Sequence, residues 1–267
     1  MKTLIPLVTV VVPSFNEEAK IMRASLESIR NQTFTDFECI VVDESSNLEL
    51  ASACRDVCSE DPRFIYIHPI ERLGLANSLN LAISRARGQF IARFDSDDIC
   101  VPQRLELQVD FLLGHPEISV VGGGMDIIST DGNFIAHRSY PQFSIDLVKS
   151  MQFTNAIAHP TVMYRKDAID RYGGYKPYLF CEDLDLWLRW MNSGLLFYNL
   201  PQVLVHYRQD STLRDTLNWR FNLRVRISNF KAQYFFRRVF GILSISLWVA
   251  IPQKLKEQIY KLLVLRS

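Results

Sequence analysis

The chain has 267 residues, 48% hydrophobic and 22% charged, with a formal net charge of +1. That is ordinary globular composition, long enough for one large domain plus an extension, and it holds no internal repeat or low-complexity segment. Residues 214–267 carry 11 Lys/Arg against 2 Asp/Glu, which leaves residues 1–213 with 19 basic and 27 acidic side chains. An acidic body with a basic tail directs attention to what anionic surface the tail meets. The five cysteines (Cys39, Cys54, Cys58, Cys100, Cys181) are odd in number and include no C-x-x-C pair. This excludes a disulfide framework or zinc knuckle and marks a reduced, cytosolic chain.

The opening run MKTLIPLVTVVVPSFNEE is apolar, but Pro6 and Pro13 interrupt it. It passes into helix-like sequence without a small-residue cleavage site, so it reads as a first strand and not as a signal peptide. Further β-rich runs are expected at 38–43, 63–68 and 89–95. Met22, Leu26 and Ile29 give one intervening helix, and Leu75, Leu79, Ala82, Ile83 and Ala86 give another over 74–86. The strands are apolar almost throughout, as expected when helices cover both faces of a sheet. Repeated βα units therefore predict a Rossmann-like, mostly parallel sheet over residues 1–100. From 101 to 213 the pattern is mixed, with a hairpin signal at Asp131-Gly132.

Open parallel sheets bind ligands beyond the carboxyl ends of their strands. Three predicted strands end in polar residues there: Ser14, Asn16 and Glu17; Asp43; and the acids Asp95, Asp97 and Asp98. Asn16 and Ser14 also suit helix caps, and Asp43 suits a turn. In an extended segment Asp95 and Asp97 share a face. Oxygen-only donors suit Mg²⁺ or Mn²⁺ bridging to phosphate. A second acidic group, Glu182, Asp183 and Asp185, begins a helix whose apolar stripe is Leu184, Leu188 and Met191, with Trp187 beside it. Acids are favoured in a first turn by the helix dipole alone.

The blocks VVVPSFNEE, SIRNQTFTDFECIVVDESS, RLGLANSLNLAISRARGQFIARFDSDD, HPTVMYRK and CEDLDLWLRW, in this order, resemble the family 2 glycosyltransferases over about residues 7–210. The resemblance implies a GT-A fold: a Rossmann-like, mostly parallel sheet with a mixed acceptor-side half and a C-terminal helical tail. It implies an inverting, metal-dependent transfer of a sugar from a nucleotide diphosphate, UDP being expected, to a glycan acceptor that is lipid-linked. Pro13, Asn16, Glu17 and Asp43 then surround the nucleoside, Arg72 and Gly74 border the donor, and Asp95, Ser96 and Asp97 hold Mn²⁺ or Mg²⁺ and the diphosphate. Asp183 becomes the base, with His159, Glu182 and Trp187 on the acceptor side. His206 is a candidate for completing the metal shell, by analogy with a late histidine in some relatives, and His159 and His206 equally suit packing roles. DESS stands here where the family usually has DDGS, which changes the turn after Asp43.

Residues 214–267 are expected to form a basic, apolar helical extension. The apolar run from Val239 to Ile251 spans 13 residues, about 20 Å as a helix, and a bilayer core is about 30 Å thick. It is too short to cross. With basic flanks, Trp248 and the later QIYKLLVLRS, it fits an anchor on an anionic membrane surface, with packing on protein as the alternative. The tail's apolar content argues against nucleic acid as the partner. The chain is thus expected in the cytoplasm, peripheral on the cytosolic face of the membrane. The competing readings are a nucleotidyltransferase, whose Gly-rich triphosphate loop PSFNEEAK lacks, and a catalytically silent sugar-nucleotide or membrane-binding module.

Overall fold

Burial of both faces of the central strands explains the two-sided architecture. In the computed structural model, which describes residues 5–209, 216–252 and 255–256, β1 (Val8–Ser14), β2 (Phe37–Asp43), β3 (Phe64–Ile67) and β4 (Phe90–Arg93) lie parallel in the order β3-β2-β1-β4. Val10, Val12, Cys39, Val41 and Ala92 face α1 (Ala19–Arg30), α2 (Leu48–Ser59) and α4 (Arg104–Gly114). Val11, Ile40, Val42 and Ile91 face α3 (Leu75–Arg85) and α7 (Glu182–Asn192). Both parities of β1, β2 and β4 are buried, and the polar residues that fall within them, such as Thr9 and Glu38, are buried as well.

Beyond β4 the sheet becomes mixed. β5 (Ile99–Cys100), β6 (Ile118–Ile128), β7 (Phe134–Arg138), β8 (Met163–Arg165) and β9 (Leu196–Arg208) extend the order to β4-β8-β6-β9-β5, with β7 on β6. β8 runs antiparallel to both β4 and β6, while β6 and β9 are parallel. The hairpin expected at Asp131-Gly132 joins β6 to β7, and Gly132 adopts φ 87°. Strands β5 and β8 were not expected: runs of two and three residues are too short for a periodicity to register. Short helices α5 (Ser144–Met151) and α6 (Lys166–Tyr172) complete this half.

The last two helices, α8 (Thr216–Ser228) and α9 (Phe235–Ala250), dock on α5 and α7. Arg226 donates to Met151 O, and Arg238 to Asn192 Oδ1 and Asn229 O. Helix α9 buries Arg238, Gly241 and Ile245, while Phe236, Phe240, Leu243 and Leu247 stand exposed at helical spacing. One face of the tail therefore packs on protein, as one of the two readings of the sequence held, and one apolar face stands outside. No helix among the described residues is long and apolar enough to cross a membrane. The run QIYKLLVLRS and the boundary expected near residue 213 lie outside the described residues.

Gly241 sets the seating of α9, because a Cβ there would lie 2.1 Å from Gln152 O. Gly241→Ala is expected to destabilise the protein by about 1–3 kcal/mol through overpacking, read as a lower urea midpoint. An unchanged midpoint would show that α9 does not rest on α5 as described.

Candidate active site

The carboxyl ends of β1, β2 and β4 converge, as the sequence suggested. Asn16, in the left-handed region at φ 52°, ties the loop after β1 to the loop after β2. Its N–H donates to Ser45 Oγ at 2.8 Å, its amide to Ser46 Oγ at 3.0 Å, and its Oδ1 accepts from Asn47 N at 3.1 Å. Asp43 is wholly buried and accepts hydrogen bonds from Ser45 N, Ser45 Oγ and Tyr66 OH. Pro13, one residue before the end of β1, pairs with Val42 and is half-buried.

The departure from DDGS has a local purpose. Glu44 accepts from Leu73 N at 2.6 Å and Gly74 N at 2.8 Å, and also from the Ser78 hydroxyl. One carboxylate thus holds the start of α3, whose N-cap is Gly74 at φ 77°, and acids are favoured at that end of a helix. Arg72, in the loop so anchored, stacks over the Phe15 ring at 3.9 Å. Glu44 and Phe15 escaped the sequence reading. The signal available for Glu44 was its place beside Asp43 at a strand end.

The acid cluster is tighter than two residues on an extended strand. β4 ends at Arg93, and the chain turns at Ser96-Asp97 with Asp98 N donating to Asp95 O. The turn, and not strand alternation, brings Asp95, Asp97 and Asp98 together, each offering one oxygen within 4.8 Å of the others. Ser96 is buried at the turn. Asp95 is gripped by both terminal nitrogens of the Arg93 guanidinium. Asp98 accepts from Arg208 N at 2.8 Å, and Arg208 Nε donates to Asp97 O at 2.9 Å. Sequence reasoning missed both partners. Arg93 lies two residues before Asp95 and was within reach of the i, i+2 argument; Arg208 comes from β9 and left no local trace.

These cations do not balance the acids. Burial and the neighbouring Asp95 lift Asp97 to about 6. Burial, Asp97 and Asp95 lift Glu17 to about 7. Burial, Asp95 and Asp97 push Asp98 well above the usual carboxylate range. Asp98 Oδ2 is buried without a hydrogen-bond partner. Hard oxygen donors, crowding and an orphaned acceptor together fit a divalent cation of the Mg²⁺ or Mn²⁺ kind. The structure does not bring His206 into this group: it pairs with Ile99, and its Nδ1 lies 3.6 Å from Asp126 Oδ2.

The second acidic group begins α7. Asp183 accepts from Asn155 Nδ2 at 2.6 Å and from Leu184 N at 2.7 Å. Glu182 is buried and lifted to about 7, by burial first and Asp183 second. Asp185 is structural: wholly buried, it is held by Arg189 Nε at 2.7 Å, Asn229 Nδ2 at 2.9 Å and Lys176 Nζ at 3.5 Å. His159 shares a hydrogen bond with Tyr175 OH at 2.8 Å and lies 4.0 Å from Glu182. Burial, with the Arg93 charge, keeps its ring neutral. Trp187 corrects the acceptor-side expectation. It is 0% exposed and packs against Tyr164, Trp190 and Phe197, because the apolar stripe of α7 is wide enough to turn it into the core. Arg93 and Asp95 both act on Glu182 electrostatically, so the two acidic groups lie within electrostatic reach of each other.

Residues 9–173 match the family described as Glycosyl transferase family 2. The chain is 35% identical over 201 residues to the O-antigen biosynthesis glycosyltransferase WbnJ of Escherichia coli, covering 74% of this chain and 78% of that one. It is 27% identical over 218 residues to the UDP-Gal:alpha-D-GlcNAc-diphosphoundecaprenol beta-1,3-galactosyltransferase of Escherichia coli, covering 80% and 77%. Among solved structures it is similar to the mannosyltransferase PcManGT from Pyrobaculum calidifontis in complex with GDP-Man and Mn2+, with a TM-score of 0.66 and 20% identity over 92% of this chain and 70% of that one. At that identity the likeness shows the fold, which is GT-A. With the family match spanning most of the chain, the chain belongs to glycosyl transferase family 2 and is a glycosyltransferase of GT-A fold.

Proposed function

We propose that this enzyme moves a sugar from a UDP-sugar to a lipid-linked glycan acceptor, with inversion at the anomeric carbon, in surface-polysaccharide synthesis. The observation that carries the reading is the division of the cleft into two acidic groups of different character. Asp95, Asp97 and Asp98 crowd oxygens around one point, whereas Asp183 is held by neutral donors at a helix N-terminus. The names of the Escherichia coli relatives, O-antigen synthesis in one and a diphosphoundecaprenol-linked acceptor in the other, support the substrate class.

Asp95, Asp97 and Asp98 would hold Mn²⁺ or Mg²⁺, which when bound neutralises the charge developing on the departing diphosphate. Pro13, Asn16, Glu17 and Asp43 line the nucleoside end, and Arg72 and Gly74 border the donor from the loop that Glu44 fixes. Ser96 keeps the turn of the acid cluster closed to solvent. Asp183 removes the proton from the acceptor hydroxyl. The acceptor oxygen bonds to the anomeric carbon, and the bond from that carbon to the diphosphate oxygen breaks with its electron pair on the leaving group. Asn155 fixes the orientation of Asp183 at the start of α7. Glu182, at about 7, presents a shared proton to an acceptor oxygen without adding a full charge beside the base. His159 acts from behind, holding Tyr175 near Glu182. His206, beside Asp126 near the end of β9, takes no part in holding the metal.

The exposed stripe Phe236, Phe240, Leu243 and Leu247 on α9, among the basic residues of 214–267, suits an anionic membrane surface. A lipid-linked acceptor is presented there, which places the enzyme peripherally on the cytosolic face.

A panel of nucleotide sugars with a polyprenyl-diphosphate-linked acceptor tests the reading. Transfer from a UDP-sugar is expected, and Asp183→Asn should lower it by about 10² or more with UDP affinity unchanged. Near-normal transfer by Asp183→Asn would remove the residue from the role of base. In co-sedimentation, Phe240→Glu with Leu247→Glu should release the protein from vesicles containing anionic lipid at low salt. Equal binding by wild type and variant would exclude the α9 face as the anchor.

A further inference from the structure

Behind the catalytic helix lies a feature that neither donor nor acceptor uses. Arg226 of α8 and Arg238 of α9 are 5% and 6% exposed. Together with Gln152, Leu188 and Ile242 they line a small cavity with about 10 Å³ of room for a water-sized sphere. Their hydrogen bonds are incomplete. Arg226 donates Nε to Asn222 Oδ1 and Nη1 to Met151 O, and Arg238 donates Nη1 to Asn229 O and Nη2 to Asn192 Oδ1. Arg226 Nη2 and Arg238 Nε remain as buried donors without a partner.

Charge is unbalanced there as well. Among the described residues, the favourable influences on these guanidiniums are the Cys181 thiol and the Tyr234 phenol, with no carboxylate. Burial outweighs them, pulling Arg226 down to about 10 and Arg238 also below its ordinary range. The nearby Asp185 is already committed to Arg189, Lys176 and Asn229. A buried cation without a counter-charge is costly, and two in one cavity compound the cost. A water molecule would satisfy the donors but leave both charges.

We infer that this cavity binds a single halide-sized anion, held by Arg226 Nη2 and Arg238 Nε, at the junction of α7, α8 and α9. The available room is about that of one water-sized sphere, so a chloride or bromide enters with a small outward shift of the two guanidinium ends, whereas phosphate is far too large. The anion joins the C-terminal helices to the helix that bears Asp183, since Leu188 of α7 forms one wall. It acts on the seating of these helices and takes no part in sugar transfer.

Thermal unfolding of the full chain tests this in sodium chloride, bromide, phosphate and gluconate at matched ionic strength. A ligand of the folded state alone raises stability by mass action. Chloride and bromide are expected to raise Tm saturably by about 2–4 °C over gluconate, with phosphate equal to gluconate. Arg226→Gln should abolish the halide-specific rise, and Arg238→Gln serves the same comparison if the first variant does not fold. In bromide-soaked crystals an anomalous peak should lie between the two guanidiniums. Equal Tm in all four salts, a rise with phosphate alone, a halide effect that survives in the variants, or a water molecule at the bromide position would each overturn the site.

Discussion

Three carboxylates packed at the edge of a parallel sheet repel one another, and most of what surrounds the cleft answers that repulsion. Arg93 is buried under the cluster with both guanidinium ends on Asp95. Arg104, itself buried, donates to Arg93 O at 2.6 Å and so fixes the strand end from which the turn departs. Arg208 reaches in from β9, the last strand of the chain, and closes the turn from the other side. Two arginines against three aspartates and Glu17 leave the site short of positive charge, and burial first and this crowding second raise the proton affinities of Glu17, Asp97 and Asp98. Such a deficit is what the proposed divalent cation would make good.

The same constraint explains why the acceptor side is built differently. Asp183 meets Asn155 and a backbone N–H, neutral donors that orient a carboxylate without neutralising it. Its neighbours remove competition: Asp185 is consumed by two cations and an amide, and Glu182 is lifted towards neutrality by burial. The rest of α7 turns its indoles inward, so that Trp187 and Trp190 with Tyr164 form the wall on which the helix stands. Helices α8 and α9 brace that wall from outside through Asn229 and Arg238. The position of the proposed base, Asp183, therefore depends on the tail, residues whose outer face is apolar and exposed.

The parallel half of the sheet was legible because its signal is local. Runs such as VTVVVP and CIVVD bury both parities, and the helices between them keep their spacing. The acids at the strand ends were legible for the same reason. What was not legible depends on contacts distant in sequence. Arg208 lies 110 residues from the carboxylate it caps, and Asn155 lies 28 from Asp183. Trp187 was misplaced because a helical stripe shows which side is apolar, but not how far round the helix the core extends. His206 sits at a strand end like the donor residues, yet its register against Ile99 turns it to Asp126. Glu44 looked like a defect in a family pattern, and three hydrogen bonds to the start of α3 make it a support.

The central claim is that the cluster's charge deficit is made good by a metal carrying a diphosphate. Calorimetric titration of UDP into the protein, with and without Mn²⁺, in wild type and in Asp97→Asn and Asp98→Asn, measures this directly. The account predicts UDP binding that requires Mn²⁺ in the wild type and weakens by at least about tenfold in either variant, a loss of about 1.4 kcal/mol or more. UDP affinity that is indifferent to Mn²⁺, or unchanged in both variants, would contradict it.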